Sequence, residues 1–271
     1  MAKKLSIVIV SLLTFSFLLS SCASKEETAA ANAFQKATNR VERMNKNLDK
    51  QISEAKKLIN KNEKSLDENS IATLETALSD AKSSKIIVPK QPSDLKSLKS
   101  ETTRLNKVDY TKQIKHLIES KIAYKNGVMQ LKKVTNPSEN YIIEKIKPIE
   151  GITGISAVTE DNDPNGQLGK QGGYTAQIYF SHKLINQNTV DGNSIIDKGT
   201  DCGGSIEVYK TAKDANKRNE YLASFDGGLF SSGYHSVHGS VIIRISNLLT
   251  ASQQKDLAAK ILNSLVELKQ K

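Results

Sequence analysis

The chain has 271 residues, a formal net charge of +10, 5% aromatic side chains and two cysteines. That length suits one or two domains. The lysines are dispersed among acids and aromatics are sparse, which argues against a nucleic-acid binder despite the positive sign.

The chain opens Met1-Ala2-Lys3-Lys4 and continues as an apolar run from Leu5 to Leu19. A basic start, an apolar stretch and small residues at its end form a secretory signal. The run is short for a spanning helix, which needs about twenty apolar residues. Leu19-Ser20-Ser21-Cys22 then resembles the bacterial lipobox, an aliphatic residue and two small residues before cysteine. The resemblance implies diacylglyceryl transfer to the Cys22 thiol and cleavage by signal peptidase II between Ser21 and Cys22. Only a thiol is nucleophilic enough for that transfer. Two acyl chains on one residue anchor stably where one chain is marginal. The alternative is an ordinary secretory signal that happens to end in cysteine. The lipobox places the protein on the extracytoplasmic face of the cell membrane, with residues 1–21 removed. It also leaves Cys202 as the one remaining cysteine, so no intrachain disulfide is expected. Gly203-Gly204 beside it suggest a tight turn and a small, inert buried thiol.

Residues 22–40 are small, polar and weakly patterned, and read as a flexible tether that turns helical toward its end. From Val41 the steps sharpen. Val41, Met44, Leu48, Gln51, Ala55 and Leu58 alternate threes and fours, as on one seam of a helix. After a break at 64–69, Ile71, Leu74, Ala77, Leu78 and Ala81 mark a second helix. Pro89 and Pro92 stop it, because proline lacks the amide donor and restricts its predecessor. Ser93-Asp94 reopens a helix through Leu95, Leu98 and Leu105. Tyr110, Ile114, Leu117, Lys121, Tyr124, Val128 and Leu131 carry a further one to Asn136-Pro137. Residues 41–140 are thus expected as a helical bundle or coiled hairpin. Residues 22–150 hold 25 basic and 17 acidic side chains, whereas residues 151–271 hold twelve of each. The whole positive excess of the processed chain therefore lies in the half nearer the anchor, where it could meet anionic headgroups or wall polymers. The bland reading is a solvated, lysine-rich helical surface.

Leu48-x-x-x-Ile52-x-x-Ala55-x-x-Leu58 and Leu74-x-x-Ala77-Leu78-x-x-Ala81 resemble the FIVAR-type three-helix modules of Gram-positive surface proteins, over about residues 45–106. That resemblance implies a spacer or stalk, in some proteins with carbohydrate or matrix binding. No site residue follows from it.

Residues 141–271 read as a separate α+β domain. Strands are expected at 152–158, 174–180 and 205–209, with a hairpin of 234–237 and 241–245 turning near His238-Gly239. Thr211 caps a helix through Leu222, and Thr250-x-x-Gln253 is a capping box before a final helix. The order β-β-β-α-β-β-α implies an antiparallel sheet with helices on one face. Thr159 to Asn165, Gly172-Gly173-Tyr174-Thr175, Gly199-Thr200-Asp201, Lys217 to Leu222 and Leu249 to Gln254 resemble a C-terminal domain of uncharacterised lipoproteins of streptococci and related Firmicutes. This second resemblance supplies no activity.

The best candidate metal site is Asp161-x-Asp163-x-Asn165-Gly166-x-Leu168. Oxygen ligands at alternate positions and a glycine at the bend match the first half of a calcium loop. The second half does not match, because Gly172 stands where the bidentate glutamate belongs. Asp-Pro-Asn-Gly is equally a turn composition. His235 and His238, three apart, fall on opposite faces of a strand. A Gly-x-Ser-x-Gly elbow and a phosphate-binding loop are both missing from the sequence. The expectation is a non-enzymatic lipoprotein whose helical stalk presents a small α+β domain to a cell-wall polymer or an envelope or host protein. A calcium-, zinc- or hydrolysis-dependent enzyme using Asp161, Asp163 and the two histidines is the first alternative. A solute-binding lipoprotein is the second.

Overall fold

The computed structural model describes residues 24–228 and 233–269. The signal peptide, the lipobox and Cys22 lie outside the described residues. Among the described residues no helix is long and apolar enough to cross a membrane. Five helices precede the sheet: α1 (Lys25–Lys61), α2 (Ser70–Ser84), α3 (Leu95–Asn106), α4 (Thr111–Lys133) and α5 (Glu139–Ile146). The chain divides into two compact units, one of residues up to 47 with 86–109, the other of 48–85 with the rest from 110.

In the first unit Phe34, Ala37 and Val41 of α1 pack with Leu98 and Leu105 of α3, closed by Ile86, Val88 and Val108. Asp94 caps α3 by accepting from the Ser97 amide at 2.9 Å. The Arg40 guanidinium donates to the carbonyls of Leu105 (2.8 Å), Asn106 (3.1 Å) and Val108 (3.0 Å), where the end of α3 leaves acceptors without helical donors. This unit corrects the expected tether at 22–40, because helix begins at Lys25. The local reason is a reciprocal cap: Ser24 Oγ accepts from the Glu27 amide and Glu27 accepts from the Ser24 amide. The longer-range reason is burial of Phe34 and Ala37, three residues apart on one helical face.

In the second unit the expected seams are buried at their centres, while Gln51, Leu58, Ile71, Ile114 and Leu131 are partly exposed. Leu48, Ile52 and Ala55 of α1, Leu74, Ala77, Leu78 and Ala81 of α2, and Leu117, Tyr124 and Val128 of α4 are all buried. Lys121, on the same α4 seam, is buried too and donates to Gln51 (2.5 Å) and Glu54 (2.6 Å). The boundary expected at 140/141 does not separate compact units. Val134, just beyond α4, sits in the core of the sheet, and its carbonyl accepts from the Ser240 amide at 2.9 Å. The Ser240 hydroxyl in turn accepts from the Asn136 amide at 2.6 Å.

The sheet comprises β1 (Ile152–Ala157), β2 (Tyr174–His182), β3 (Gly203–Tyr209), β4 (Tyr234–His238) and β5 (Val241–Ile245). Its order is β1-β2-β3-β5-β4 with every pairing antiparallel, so the architecture is α+β. Three helices complete it: α6 (Ile195–Lys198), α7 (Ala212–Ala223) and α8 (Ala251–Val266). Thr211 caps α7, and both halves of the Thr250–Gln253 box are made at α8. Ala176, Ile178 and Phe180 of β2, Ile206 and Val208 of β3, and Val241, Ile243 and Ile245 of β5 share one face. Ile142 and Ile146 of α5 and Leu257, Ala258, Ile261 and Leu265 of α8 cover it. One detail of the expected layering differs. Ala215 and Leu222 of α7 pack with Tyr209 and Ile242, on the opposite face.

Candidate functional site

Strand alternation puts Gln177 and Tyr179 of β2, Ser205 and Glu207 of β3, and Arg244 of β5 on the second face. On an open antiparallel sheet such residues would meet water. Here α7 and the 158–173 loop lie over them, and Glu207 is 0% exposed. A buried carboxylate is costly unless paired and hydrogen-bonded. Arg218 of α7 meets Glu207 through Nε at 3.0 Å and Nη2 at 3.2 Å. Arg244 adds Nη1 at 3.0 Å, and Tyr209 donates its hydroxyl at 2.7 Å. Burial pushes the Glu207 carboxyl up, but the two guanidiniums and the hydrogen bonds outweigh it and hold the group below the usual carboxylate range. Burial first, then the neighbouring Glu207 charge, drives the Tyr209 phenol upward. Arg218 lies three residues after Ala215 and four before Leu222, so the ion pair and the apolar contacts share one helical face.

A second cluster adjoins the first. Between Tyr174 and Ala176 the β2–β3 register shifts, so Tyr174 pairs with Tyr209 while Ala176 pairs with Val208. That bulge turns Tyr174 onto the face of Tyr209, where the two rings meet edge to face with centroids 6.4 Å apart. The Tyr174 hydroxyl donates to Asp163 in a short hydrogen bond. Asp163 also accepts from the amides of Asn165 (3.0 Å), Gln167 (2.6 Å) and Leu168 (2.7 Å). Burial raises the Asp163 carboxyl, but these four donors together lower it further. Asn165 donates to the Gln177 carbonyl oxygen at 3.3 Å, and Gln177 donates to Tyr179 at 2.8 Å.

The calcium candidates are therefore used otherwise. Asp163 organises a turn, Asn165 donates inward, and Asp161 is exposed and joins neither cluster. A cation at Asp163 would have to displace four hydrogen-bond donors. Gly166 does adopt the expected bend, with φ of +59°. Among the described residues no group of three or more His, Cys, Asp or Glu side chains is arranged to hold a metal ion. The histidines do not join Asp161 or Asp163. His235 bonds Asn219 at 2.8 Å and Asp226 at 3.2 Å, while His238 bonds Ser236 at 3.1 Å. Cys202 is fully buried against the carbonyls of Phe180 and Gly199, and burial pushes its thiol up to about 11. It is a thiol and not a thiolate near neutrality, as an inert buried cysteine should be.

A pocket of about 350 Å3 opens between the 165–174 turn and α7, with Tyr174, Tyr209 and Arg218 in its floor and Gln167, Gln171, Gly172, Gly173, Asp214, Lys217 and Tyr221 around it. Gly173 is required there, because a Cβ on it would collide with the Gln167 carbonyl oxygen. A larger groove, about 700 Å3, runs past Ile71, Tyr124, Leu131 and His238. Its polar lining includes the exposed Glu63, Lys64 and Glu68, and no buried charge network supports it. The smaller pocket is thus the better built.

No family model, curated protein or solved structure matches this chain. The site has to be read from its own chemistry. Sequence reading missed Glu207, Arg218, Arg244 and Tyr209. The available signal was a charge in the middle of two apolar strands, Ile206-Glu207-Val208 and Ile243-Arg244-Ile245.

Two histidines away from the pocket and two carboxylates beneath it set a pH dependence. His182 and His238 are held below their usual range, in both cases chiefly by burial. Their neutral forms stabilise the native state fully above about pH 6.5, and that contribution is lost as pH falls through their depressed values. Glu207 and Asp163 are also depressed, so their contribution is present above about pH 4 and lost below it. Urea midpoints measured from pH 8 to 3 should decline in two steps, and changing both histidines to glutamine should remove the first. A flat midpoint between pH 7 and 5 in the native chain would contradict the assignment.

Proposed function

We propose that this protein is a non-enzymatic lipoprotein on the extracytoplasmic face of the cell membrane, anchored through Cys22, whose α+β region binds a ligand in the pocket between α7 and the 165–174 turn. The lipobox Leu19-Ser20-Ser21-Cys22 supports the anchor. The observation that carries the binding role is the pocket itself, about 350 Å3, whose floor of Tyr174, Tyr209 and Arg218 is fixed by hydrogen bonds to Asp163 and Glu207. Asp163 and Glu207 are held as carboxylates, while Tyr174 and Tyr209 are driven upward and stay protonated. General acid–base catalysis works best with a group that titrates near the operating pH. These four are locked on opposite sides of that range, which suits a rigid recognition surface. Ligands expected on the same grounds are a cell-wall polymer or an envelope or host protein.

The anchor has a direct test. Cys22→Ala should abolish incorporation of radioactive palmitate and leave unprocessed precursor on gels. Continued labelling of the variant would refute the proposal.

A further inference from the structure

We infer that the ligand of this pocket is an uncharged glycan, stacked on Tyr221 and hydrogen-bonded across the pocket mouth; this rests on the binding role proposed above. Tyr221 is 56% exposed although it lines the pocket. Its ring is nonetheless held in place. The Arg218 guanidinium lies 5.3 Å from its centroid, and Phe225 meets it edge to face with centroids 5.0 Å apart. Arg218 is itself pinned by Glu207, so the platform is tied to the buried network. A fixed, exposed aromatic ring offers contact area at little entropic cost. The C–H face of a pyranose is apolar and slightly positive, and suits the negative face of such a ring.

The remaining lining offers hydrogen bonds of both polarities. Gln167 and Gln171 each carry donors and an acceptor, Asp214 accepts, and Lys217 donates. A sugar hydroxyl both donates and accepts, so a mixed set fits a polyhydroxylated ligand better than a purely cationic one would. Charge points the same way. In and beneath the pocket the carboxylates of Asp163, Glu207 and Asp214 offset the cations of Arg218, Arg244 and Lys217, so no single-sign field selects a polyanion. Residues 151–271 together carry twelve basic and twelve acidic side chains. The volume, about 350 Å3, lies at the small end of ligand sites.

The test is calorimetry on the full chain in detergent micelles with five probes: N-acetylated chitotetraose, maltotetraose, cellotetraose, polyphosphate and polyglutamate. At least one glycan should bind, Tyr221→Ala should weaken it tenfold or more, and Tyr221→Trp should retain it. The melting temperature of the alanine variant should fall by no more than a few degrees, since the ring is half-exposed and loses only its contacts with Arg218 and Phe225. Glycan binding that is indifferent to Tyr221→Ala would overturn the inference. If only polyphosphate or polyglutamate binds, and Tyr221→Ala abolishes it, the glycan assignment fails while the binding role survives. If no probe binds, the glycan assignment falls, and the binding role then requires an envelope or host protein as its ligand.

Discussion

Glu207→Ala is expected to destabilise the second unit by about 3–5 kcal/mol, the usual cost of removing one partner from a buried ion pair. Glu207 is fully buried, and its two oxygens take bonds from Arg218, Arg244 and Tyr209. The alanine variant leaves two guanidiniums with no carboxylate between the sheet and α7. Glu207→Gln keeps the shape and both polar atoms but loses the charge, so its loss should be smaller. Urea unfolding followed by far-UV circular dichroism gives the ranking: native, then Gln, then Ala. Arg218→Met added to Glu207→Ala should cost less than the two separate changes summed, because the second removes a charge the first left unpaired. Additive losses would show that the pair is not coupled, and that α7 is held by Ala215 and Leu222 alone.

Phe34→Ala should cost a further few kcal/mol, about 3–5 for a buried phenylalanine truncated to alanine, confined to the first unit. Phe34 is 2% exposed and is the largest member of a five-residue cluster, completed by Ala37, Val41, Leu98 and Leu105. So small a core has little to close the cavity with. Hydrogen exchange should therefore accelerate at the amides of α1 up to residue 47 and of α3, while β2 and β3 keep their protection. Unchanged exchange in α3 would mean that residues 25–40 are helical without being packed, closer to the tether that composition suggested.

The two cases show where sequence reasoning held and where it failed. The tether at 22–40 was misjudged although a local signal was present. Ser24-x-x-Glu27 is a capping box, and Phe34 and Ala37 lie on one helical face with Val41. Alanine-rich composition masked it. Glu207 is a different kind of failure. A charged residue alternating with Ile206 and Val208 reads as solvent-facing, and nothing within four residues says that a helix will cover it. Tyr174 fails similarly, since a bulge reverses the face that simple alternation assigns.

What the sequence by itself determined is therefore the local layer. The caps at Thr211 and Thr250, the helix reopened at Ser93-Asp94 and the break before Ser70 all depend on residues within about one turn of each other and are found, whereas α6, between β2 and β3, has no counterpart in the expected order of strands and helices. Tertiary structure alone decided which face α7 would take, that Val134 would join the core of the sheet, and that residues 163–174 would meet residues 207–221 across a pocket. Those outcomes follow from burial and ion pairing between groups separated by anything from 11 residues (Glu207 and Arg218) to 106 (Val134 and Ser240). Residue periodicity records the face a side chain occupies, but not what will come to lie against it.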